Sequence, residues 1–422
     1  MRGGFKKAYL ENGKTLKPEY SSGPMKNHKL WTEYFKEHAS RSAVVINKLT
    51  WVSGNRYLYV IDMQNDFIDR MYDDGFGKFA VGEGSSVIPD IINYVNKGIN
   101  MYKEIIFSRD YHPEDHCSFG AGHASGGSFP SHCVQKTKGA ELIKEINDKF
   151  TREWATKDNV RVIFKGIHSN ADSFSAMPFS EARQDHSGPN CNACSGGANC
   201  SEVTGGWYLS NANGYDKNSW NYNGNITYGK ESVTAEDGLI PVKYKPEFPD
   251  GSVIEVCGLA GDYCVRDTAI ALGKTYPNCQ VVVLNYLVRY PFLPIWLPTI
   301  MHTNTGAAVN SHINHMDKFL NSDVNKGFNY YLFDESGKLM TPSEIKDEIP
   351  SVEALKERMK GFPEFTNVLS HFISDPRDII KDYENSGVKI LLNTPLTTSG
   401  GRFSRKSRRK ANKRKSRRYQ KK

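Results

Sequence analysis

The sequence predicts an α/β protein with a doubly wound, mostly parallel six-stranded sheet and helices on both faces. Six short runs rich in β-branched and aromatic residues have the continuous apolar character of strands that are buried on both faces. Helical patterns separate these runs and often end in Gly or Asn before the next one. Strands that alternate with helices form a parallel sheet whose two faces are both covered.

In chain order, the strand runs are five to seven residues long, which is the usual length of a buried strand. We predict strands at 56–62, 104–108, 161–165, 253–258, 280–285 and 388–393. We predict helices at 87–97, 140–150, 267–274 and 376–385.

Several segments do not follow this alternation. Residues 1–55 show no clear period, 178–249 are rich in Gly, Asn, Ser and Tyr, and 289–366 combine an apolar stretch with a charged helical pattern. Long additions to one α/β core are typical of insertions. We therefore predict an N-terminal extension at 1–55, one α/β domain at 56–393 with insertions at 178–249 and 289–366, and a disordered basic tail at 394–422.

The net charge of +8 lies almost wholly at one end of the chain. Residues 402–422 carry 13 of the 55 Lys and Arg and no acid, so the rest of the chain holds 42 bases against 47 acids. Such a tail attracts phosphates without reading sequence, which suggests non-specific nucleic-acid contact or nuclear import besides a plain solubility role. A nucleic-acid-associated protein is therefore one alternative function.

No stretch of the chain approaches the length of a bilayer span, and residues 1–18 lack the apolar run of a secretory signal. We expect an intracellular, cytoplasmic protein without a membrane partner. Eight cysteines in 422 residues are too few for a disulfide scaffold, so we expect reduced thiols.

Reactive side chains follow three of the predicted strands. Asp62 ends "YVID", Lys165 ends "VIFK", and Cys264 stands at the turn into a helix in "GLAGDYCVRDTA". Open α/β sheets bind ligands at the carboxyl ends of their strands, where these groups would meet. Beside an ammonium and a helix N-terminus, we expect the Cys264 thiol to ionise and act as a nucleophile. Taken singly, each has a structural explanation: a helix cap, a solvated lysine or a core cysteine.

A second set of residues suits a divalent metal ion. "SRDYHPEDHCSF" supplies Asp110, His112 and His116, and "FPSHCVQKTKGAEL" supplies His132. One carboxylate with two or three imidazoles suits zinc, with Fe(II) or Mn as alternatives. The structural alternative is that two of these histidines cap helices or bond to backbone.

The cysteines of the 178–249 insertion suggest a second, structural zinc site. Its ligands would be His186, Cys191, Cys194 and Cys200, although only one C-x-x-C pair is present. The same insertion could instead be a lid over the active site or an oligomer contact.

These motifs, together with the late "DYENSGVKI", resemble the nicotinamidase branch of the isochorismatase-like cysteine hydrolases. The blocks "VIDMQNDF", "SRDYHPEDHCSF", "FPSHCVQKTKGAEL", "FKGIHSNADSFSAM" and "GLAGDYCVRDTA" stand in the order of that family. Strict matching of the blocks covers somewhat under half of the chain. Two departures are Phe129 where many relatives carry Trp, and Gly261 where Thr is common.

The resemblance implies a function and a role for each residue. Asp62 would be the general base, Lys165 its electrostatic partner and Cys264 the nucleophile of a nicotinamidase, which converts nicotinamide to nicotinate and ammonia through a thioester, as in NAD salvage. A cis peptide before Ala260 is implied, and the backbone N–H groups of Ala260 and Cys264 would form the oxyanion hole. The implied metal ligands are Asp110, His112, His116 and His132, and the aromatic residues that would flank the substrate ring are Phe67, Phe129 and Tyr263.

Two alternatives concern the core itself. Another amide or ureide hydrolase of the same superfamily would share Asp62, Lys165 and Cys264 but would generally lack the metal ligands. A binding module without turnover would have lost a catalytic group, and none is lost here. A homo-oligomer is a further expectation for the assembly.

Overall fold

A computed structural model describes the core of the chain. The described residues are 39–47, 55–68, 71–72, 75–81, 84–119, 131–179, 200–229, 232–290 and 376–393, with residues 35, 49, 127, 129, 191 and 347. The basic tail, most of the 289–366 insertion, His186 and Cys194 lie outside this set, so the predictions made for them stay predictions.

The described strands are of two kinds, long buried strands and short peripheral ones. They are β1 (Val45–Ile46), β2 (Arg56–Ile61), β3 (Met71–Tyr72), β4 (Gly75–Phe76), β5 (Glu104–Asp110), β6 (Val160–Lys165), β7 (Trp207–Asn211), β8 (Gly214–Tyr215), β9 (Ile226–Tyr228), β10 (Val233–Ala235), β11 (Ile240–Lys243), β12 (Val253–Gly258), β13 (Gln280–Val288) and β14 (Lys389–Leu391).

The helices follow the predicted patterns closely. They are α1 (Ile88–Gly98), α2 (Lys144–Arg152), α3 (Cys200–Val203), α4 (Cys264–Thr275) and α5 (Pro376–Asn385), with short 3₁₀ turns at Asn65–Phe67, Gly84–Val87, Lys138–Ala140, Trp154–Thr156, Ser219–Asn221 and Glu236–Gly238. In α1 the apolar residues Ile88, Ile91 and Val95 recur at helical spacing and are buried. No described helix is both long and apolar enough to cross a membrane.

The fold class is confirmed: the central sheet is mostly parallel. Its strand order is β1-β14-β13-β12-β2-β5-β6-β7-β11, and the six predicted strands form its contiguous parallel core from β14 to β6. Almost every residue of β2, β5 and β12 is buried, as expected for strands of a parallel sheet that is covered on both faces.

The chain reverses its direction across the sheet between β2 and β12. From β2 it moves through β5 to β6, and from β12 it moves the opposite way through β13 to β14. Right-handed crossovers then place the two sets of helices on opposite faces, with α4 and α5 on one side and α1 and α2 on the other. The reversal opens a crevice at the carboxyl ends of β2 and β12, where ligands bind in this class of fold.

Four strands extend the predicted six. β1 adds to β14 in parallel, whereas β7, β8 and β11 come from the 178–249 segment and pair antiparallel beyond β6. These strands are short and stand among Gly and Asn residues, so their sequences lack a clear strand pattern. The 178–249 segment thus enlarges the sheet itself. The domain boundaries predicted above stay a prediction.

Candidate active site

The carboxyl ends of β2 and β6 and the turn that follows β12 bring three reactive side chains into contact. Asp62 directly follows β2, Lys165 ends β6, and Cys264 begins α4 after β12. Lys165 Nζ lies 2.9 Å from Asp62 Oδ2 and 3.5 Å from Cys264 Sγ. The three residues that the sequence singled out therefore form one cluster at the strand reversal.

Lys165 is fully buried and carries several contacts at once. Its Nζ also donates to Asp110 Oδ1 at 2.7 Å and to the Ser173 carbonyl oxygen at 3.3 Å. Burial alone would lower the pKa of Lys165, but the Asp110 and Asp62 carboxylates more than offset this and hold that pKa well above its usual range. Lys165 is therefore a permanent positive charge between two acids.

Asp62 is held in one orientation. Ser108 Oγ donates to Asp62 Oδ1 at 2.6 Å, and the backbone N–H of Asp62 donates to the same hydroxyl at 3.1 Å. Burial raises the pKa of Asp62 above its ordinary value, while Lys165 opposes that rise. A carboxylate with a raised pKa is a better proton acceptor than an ordinary one.

The groups around Cys264 oppose the expected easy ionisation of its thiol. Burial raises the pKa of the Cys264 thiol; Lys165 lowers it, but Asp62 and Asp110 raise it further, and the result is well above the usual value. The ammonium that was expected to stabilise a thiolate is already shared by two carboxylates. Burial and the two carboxylates therefore favour the protonated thiol, which lies close to Asp62 and Lys165.

The backbone around the thiol is arranged at the turn between β12 and α4. The Leu259–Ala260 peptide bond is cis, as the resemblance implied. Ala260 and Cys264 both line the pocket, and the Val265 backbone N–H donates to the Ala260 carbonyl oxygen at 3.1 Å. The pair assigned to an oxyanion hole thus lies at the edge of the cavity, next to the sulfur.

Asp110, His112 and His132 form the candidate metal centre. All three are buried, and their ligand atoms lie within 4.8 Å of one another. Asp110 Oδ2 is 3.4 Å from His112 Nε2 and 3.9 Å from His132 Nε2. One carboxylate and two imidazoles that converge in this way fit a divalent ion of the zinc, iron or manganese type.

His112 is oriented by the backbone behind it. Its Nδ1 lies 2.9 Å from the Gly166 carbonyl oxygen, which can only accept, so Nδ1 carries the proton and Nε2 is left to bind an ion. Gly166 has a φ of +65°, and a Cβ there would lie 2.4 Å from His112 Cε1. The glycine is thus required for the histidine to sit in this place.

His116 occupies a different position from the other predicted ligands. Its Nδ1 lies 2.7 Å from Ser118 Oγ, and its Nε2 lies 3.3 Å from the Ala171 carbonyl oxygen. Burial lowers the pKa of His116 well below its usual value, and His112 and His132 lower it further. His116 groups with His112 and Asp172 rather than with Asp110 and His132.

An aromatic pocket lies beside both the cysteine and the candidate metal centre. Its lining includes the three predicted ring contacts, Phe67, Phe129 and Tyr263. Cys264, Asp110 and His132 line the same pocket. A flat, uncharged ring with one polar substituent suits such a cavity.

Four further lining residues were missed by the sequence reading: Phe79, Val81, Phe174 and Asp172. Phe174 and Asp172 stand inside the quoted block "FKGIHSNADSFSAM", so proximity to Lys165 was a signal that could have found them. Phe79 and Val81 lie in a stretch without a motif. The ring centroids of Phe79 and His132 are 4.7 Å apart.

The predicted second zinc site is wrong in one of its ligands. Cys191 forms a disulfide with Cys117, so its sulfur is not available as a thiolate ligand. Cys200 is buried and reduced. The same disulfide corrects the expectation of reduced thiols for two of the eight cysteines, and it links the residue next to His116 with the inserted segment.

The inserted segment also supports the metal centre by hydrogen bonds. Arg109 Nη1 donates to the Tyr222 carbonyl oxygen at 2.9 Å, and Tyr111 Oη donates to that of Gly224 at 2.7 Å. Gln135 exchanges two hydrogen bonds of 2.9 Å with the Ile226 backbone. Since Arg109 and Tyr111 flank Asp110 in sequence, the insertion packs directly behind a candidate ligand.

Comparison with known proteins gives a consistent set of relatives. The chain is 26% identical over 141 residues to a nicotinamidase of Saccharomyces cerevisiae, a match that covers 28% of this chain and 61% of the relative. It is 33% identical over 138 residues to a nicotinamidase of Acinetobacter baylyi, and this match covers 30% of this chain and 56% of the relative. For a nicotinamidase of Escherichia coli the identity is 29% over 134 residues, covering 29% and 56%.

The chain is similar in sequence to these nicotinamidases over part of their length. It spans little more than half the length of these relatives, and no protein-family model matches it. A yeast nicotinamidase solved with the inhibitor nicotinaldehyde is 19% identical, covers 56% of this chain and 89% of its own, and gives a TM-score of 0.34. That score is low, so the fold assignment follows from the chain's own sheet topology.

Proposed function

We propose that this protein is a nicotinamidase that hydrolyses nicotinamide to nicotinate and ammonia through a thioester on Cys264. The cluster of Asp62, Lys165 and Cys264, in which Cys264 lines an aromatic pocket, is the observation that carries the proposal. The relation to nicotinamidases supports the choice of substrate. The candidate metal centre, of which Asp110 and His132 line the same pocket, distinguishes this proposal from an amidase that acts without a metal ion.

The pocket supports a specific orientation of the substrate. The pyridine ring lies between the aromatic walls that Phe67, Phe129 and Tyr263 provide, with its carboxamide towards Cys264. A divalent ion held by Asp110, His112 and His132 supplies, when bound, a positive charge that attracts the ring nitrogen. Fixing both ends of the molecule places the carbonyl carbon beside the sulfur.

The acylation step uses the protonated thiol. Asp62, which contacts the same Lys165 ammonium as Cys264, accepts the proton of Cys264 as the sulfur attacks the amide carbonyl carbon. Lys165 stabilises the charges of both partners during this transfer. The developing oxyanion faces the backbone N–H groups of Ala260 and Cys264, and Asp62 then returns the proton to the departing ammonia.

The deacylation step reverses these roles. Asp62, ionised again, accepts a proton from a water molecule that attacks the thioester carbon. The carbon–sulfur bond breaks, the proton returns to the Cys264 sulfur, and nicotinate leaves. Both half-reactions therefore use the same base and the same oxyanion-binding groups.

The test is ammonia release from nicotinamide by the metal-loaded full chain and by Cys264→Ala. We expect a loss of about 10³-fold or more in kcat for Cys264→Ala, because the covalent step disappears. Cys279→Ala changes a half-exposed cysteine outside the pocket and is expected to retain activity. Benzamide, which lacks the ring nitrogen, should be a poor substrate, whereas pyrazinamide should be accepted.

Absence of ammonia release by folded, metal-loaded wild type would refute the proposal. Release from ureides but not from nicotinamide would favour the other amide hydrolases of the superfamily. Because each variant is assayed on the same substrates, a change of substrate class is separated from loss of the nucleophile.

A further inference from the structure

The Asp66 carboxylate is a buried acid that the proposed mechanism does not use. Asp66 is 5% exposed and does not itself line the pocket. Its Oδ2 accepts the Cys133 backbone N–H at 2.7 Å, and its Oδ1 accepts the Lys78 backbone N–H at 3.1 Å. One side chain therefore joins two other segments of the chain.

The segments that meet at Asp66 carry rings of the pocket. Phe67 follows Asp66 directly, and Phe79 and His132 are each adjacent in sequence to a residue whose backbone N–H the carboxylate accepts. We call Phe67, Phe79 and His132 the ring cluster, and all three line the pocket. The ring centroids of Phe79 and His132 are 4.7 Å apart, and that of Phe67 lies 5.5 Å from that of His132. The contacts of Asp66 thus lie directly behind one set of touching rings.

Backbone hydrogen bonds connect the Phe67 and Phe79 segments as well. The Phe79 N–H donates to the Asp66 carbonyl oxygen at 2.9 Å, and the Val81 N–H donates to the Phe67 carbonyl oxygen at 3.0 Å. Together with the bond from the Lys78 N–H to the carboxylate, three backbone donors of residues 78–81 bind residues 66 and 67. The position of Phe79 therefore depends on Asp66.

The turn that carries His132 depends on the same carboxylate. Cys133 has a φ of +45°, in the left-handed region that residues with a side chain seldom adopt. Such a conformation persists where surrounding groups fix it. The Cys133 N–H is held by Asp66, and the Cys133 carbonyl oxygen accepts the His112 N–H at 3.0 Å. Asp66 therefore helps to fix the backbone next to His132.

Gly139 leaves room for the carboxylate in this place. A Cβ at Gly139 would lie 2.0 Å from Asp66 Oδ2. Both carboxylate oxygens can accept a hydrogen bond, and bonds to a charged acceptor are stronger than neutral ones. A carboxylate is consequently suited to hold two backbone N–H groups from different segments at once.

We propose that Asp66 is a positioning residue that holds the ring cluster in the shape that receives the pyridine ring. This inference rests on the proposed function, because the ring is that of nicotinamide. When the carboxylate is lost, the segments of Phe79 and His132 separate more readily, so fewer molecules have a formed pocket at any moment. The apparent affinity falls with that fraction, whereas saturating substrate restores the shape. The change should therefore appear in KM rather than in kcat.

Two variants disturb the carboxylate in independent ways. Asp66→Asn keeps one oxygen acceptor and turns an NH₂ group, which is a donor, towards the other backbone N–H. Gly139→Ala leaves Asp66 unchanged, but its Cβ overlaps the carboxylate. Glu255→Gln is the matched control, because Glu255 is a buried carboxylate that accepts from Arg56 and Tyr102 and lies outside the pocket lining.

The experiment measures KM and kcat for ammonia release from nicotinamide by the full chain, with Zn(II) at a concentration that saturates each variant. We expect Asp66→Asn and Gly139→Ala to raise KM about tenfold, the factor that corresponds to one lost hydrogen bond to a charged group. Their kcat should change by less than about threefold. Glu255→Gln should lower the thermal midpoint and leave KM unchanged. Thermal unfolding of every variant establishes that it is folded.

A KM within about twofold of the wild-type value in a folded variant of either kind would overturn the inference. A lower kcat with unchanged KM would also overturn it, since Asp66 would then act on the chemistry or on the amount of folded enzyme. If the wild type releases no ammonia, calorimetric titration with nicotinamide measures the affinity for the ring directly. Weaker binding by the two variants would then uphold the role of Asp66 while the proposed hydrolysis fails, and a wild type that neither hydrolyses nor binds nicotinamide would overturn both.

Discussion

Lys165 is the residue on which the charge balance of the site depends. Its ammonium lies 2.7 Å from Asp110 Oδ1 and 2.9 Å from Asp62 Oδ2, and the side chains of Lys165 and Asp62 are 0% exposed. Two carboxylates this close repel each other unless a positive charge lies between them. Removing the ammonium would leave two buried acids without compensation.

We therefore expect Lys165→Met to destabilise the apo protein strongly. Breaking a buried ion pair from one side costs about 3–5 kcal/mol in the free energy of unfolding. Urea unfolding followed by circular dichroism measures this change. Lys217→Met removes a surface pair with Asp158 and should leave the urea midpoint unchanged. Equal midpoints for wild type and Lys165→Met would mean that the two acids are protonated in the folded protein.

Gly261 lies against the ring of Tyr290, and the contact leaves no room for a side chain at position 261. A Cβ at Gly261 would lie 2.4 Å from Tyr290 Cε1. The ring cannot easily move, because Tyr290 Oη donates to Asn285 Oδ1 at 2.6 Å and the ring packs on Phe35 at 5.6 Å between centroids. The absence of a side chain at Gly261 therefore makes room for the Tyr290 ring beside the turn that carries Cys264.

Gly261→Thr should lower stability by about 1–3 kcal/mol, the usual cost of forcing extra atoms into a packed region. Tyr290→Ala would open the space, so the double variant Gly261→Thr/Tyr290→Ala should lose less than the sum of the single losses. Thermal unfolding of the four proteins gives this coupling energy. Additive losses would show that the clash does not occur.

At the scale of elements, the parallel core was predictable and the additions were not. β2, β5, β6 and β12 are continuous apolar runs whose pattern needs no tertiary information. β7 pairs with β6 only at Phe164 and Trp207, and its longer pairing is with β11 of the same segment. Short antiparallel strands among turn residues are selected by packing rather than by local pattern.

The active-site residues also divide into those that the sequence predicts and those that it does not. Asp62, Lys165 and Cys264 end or follow predictable strands, and parallel pairing brings such ends together. Asp172 and Phe79 reach the pocket on irregular segments whose path the sequence does not specify. The Cys117–Cys191 disulfide joins positions separated by 74 residues, so neither cysteine's local sequence indicates the other.

The disulfide should stabilise the link between the metal-site loop and the insertion. Closing a loop of 74 residues lowers the conformational entropy of the unfolded chain, which raises its free energy by about 4 kcal/mol in the chain-entropy model. We expect the double variant Cys117→Ser/Cys191→Ser to have a free energy of unfolding lower by about this amount. Dithiothreitol should lower the free energy of unfolding of the wild type by a similar amount. Denaturant titrations with and without the reductant measure both effects.

Two comparisons make this prediction specific. Dithiothreitol should have no effect on the double serine variant, and Cys279→Ser should behave like the wild type because Cys279 is a free thiol. A wild-type curve that does not respond to dithiothreitol, with complete reduction verified by thiol counting, would contradict the prediction.

At the scale of the whole molecule, the 200–243 region and the parallel core behave as one hydrogen-bonded unit. β7 and β11 continue the sheet beyond β6. Behind the metal centre, the Ile226 N–H donates to Gln135 Oε1, while Arg109 donates to the Ala140, Trp220 and Tyr222 carbonyl oxygens. A segment whose backbone is bonded to buried core side chains cannot open without breaking those bonds.

Native-state hydrogen exchange should therefore show one shared opening. The Ile226 amide and the β6 amides are expected to exchange through the same global unfolding, with equal free energies and equal denaturant dependence. Gln135→Leu removes both bonds to Ile226 and leaves its polar groups buried, at a cost of about 1–3 kcal/mol. In that variant the Ile226 amide should exchange through a separate, smaller opening while β6 keeps its protection. Exchange of Ile226 at lower denaturant than β6 in the wild type would show instead that the inserted region unfolds independently of the core.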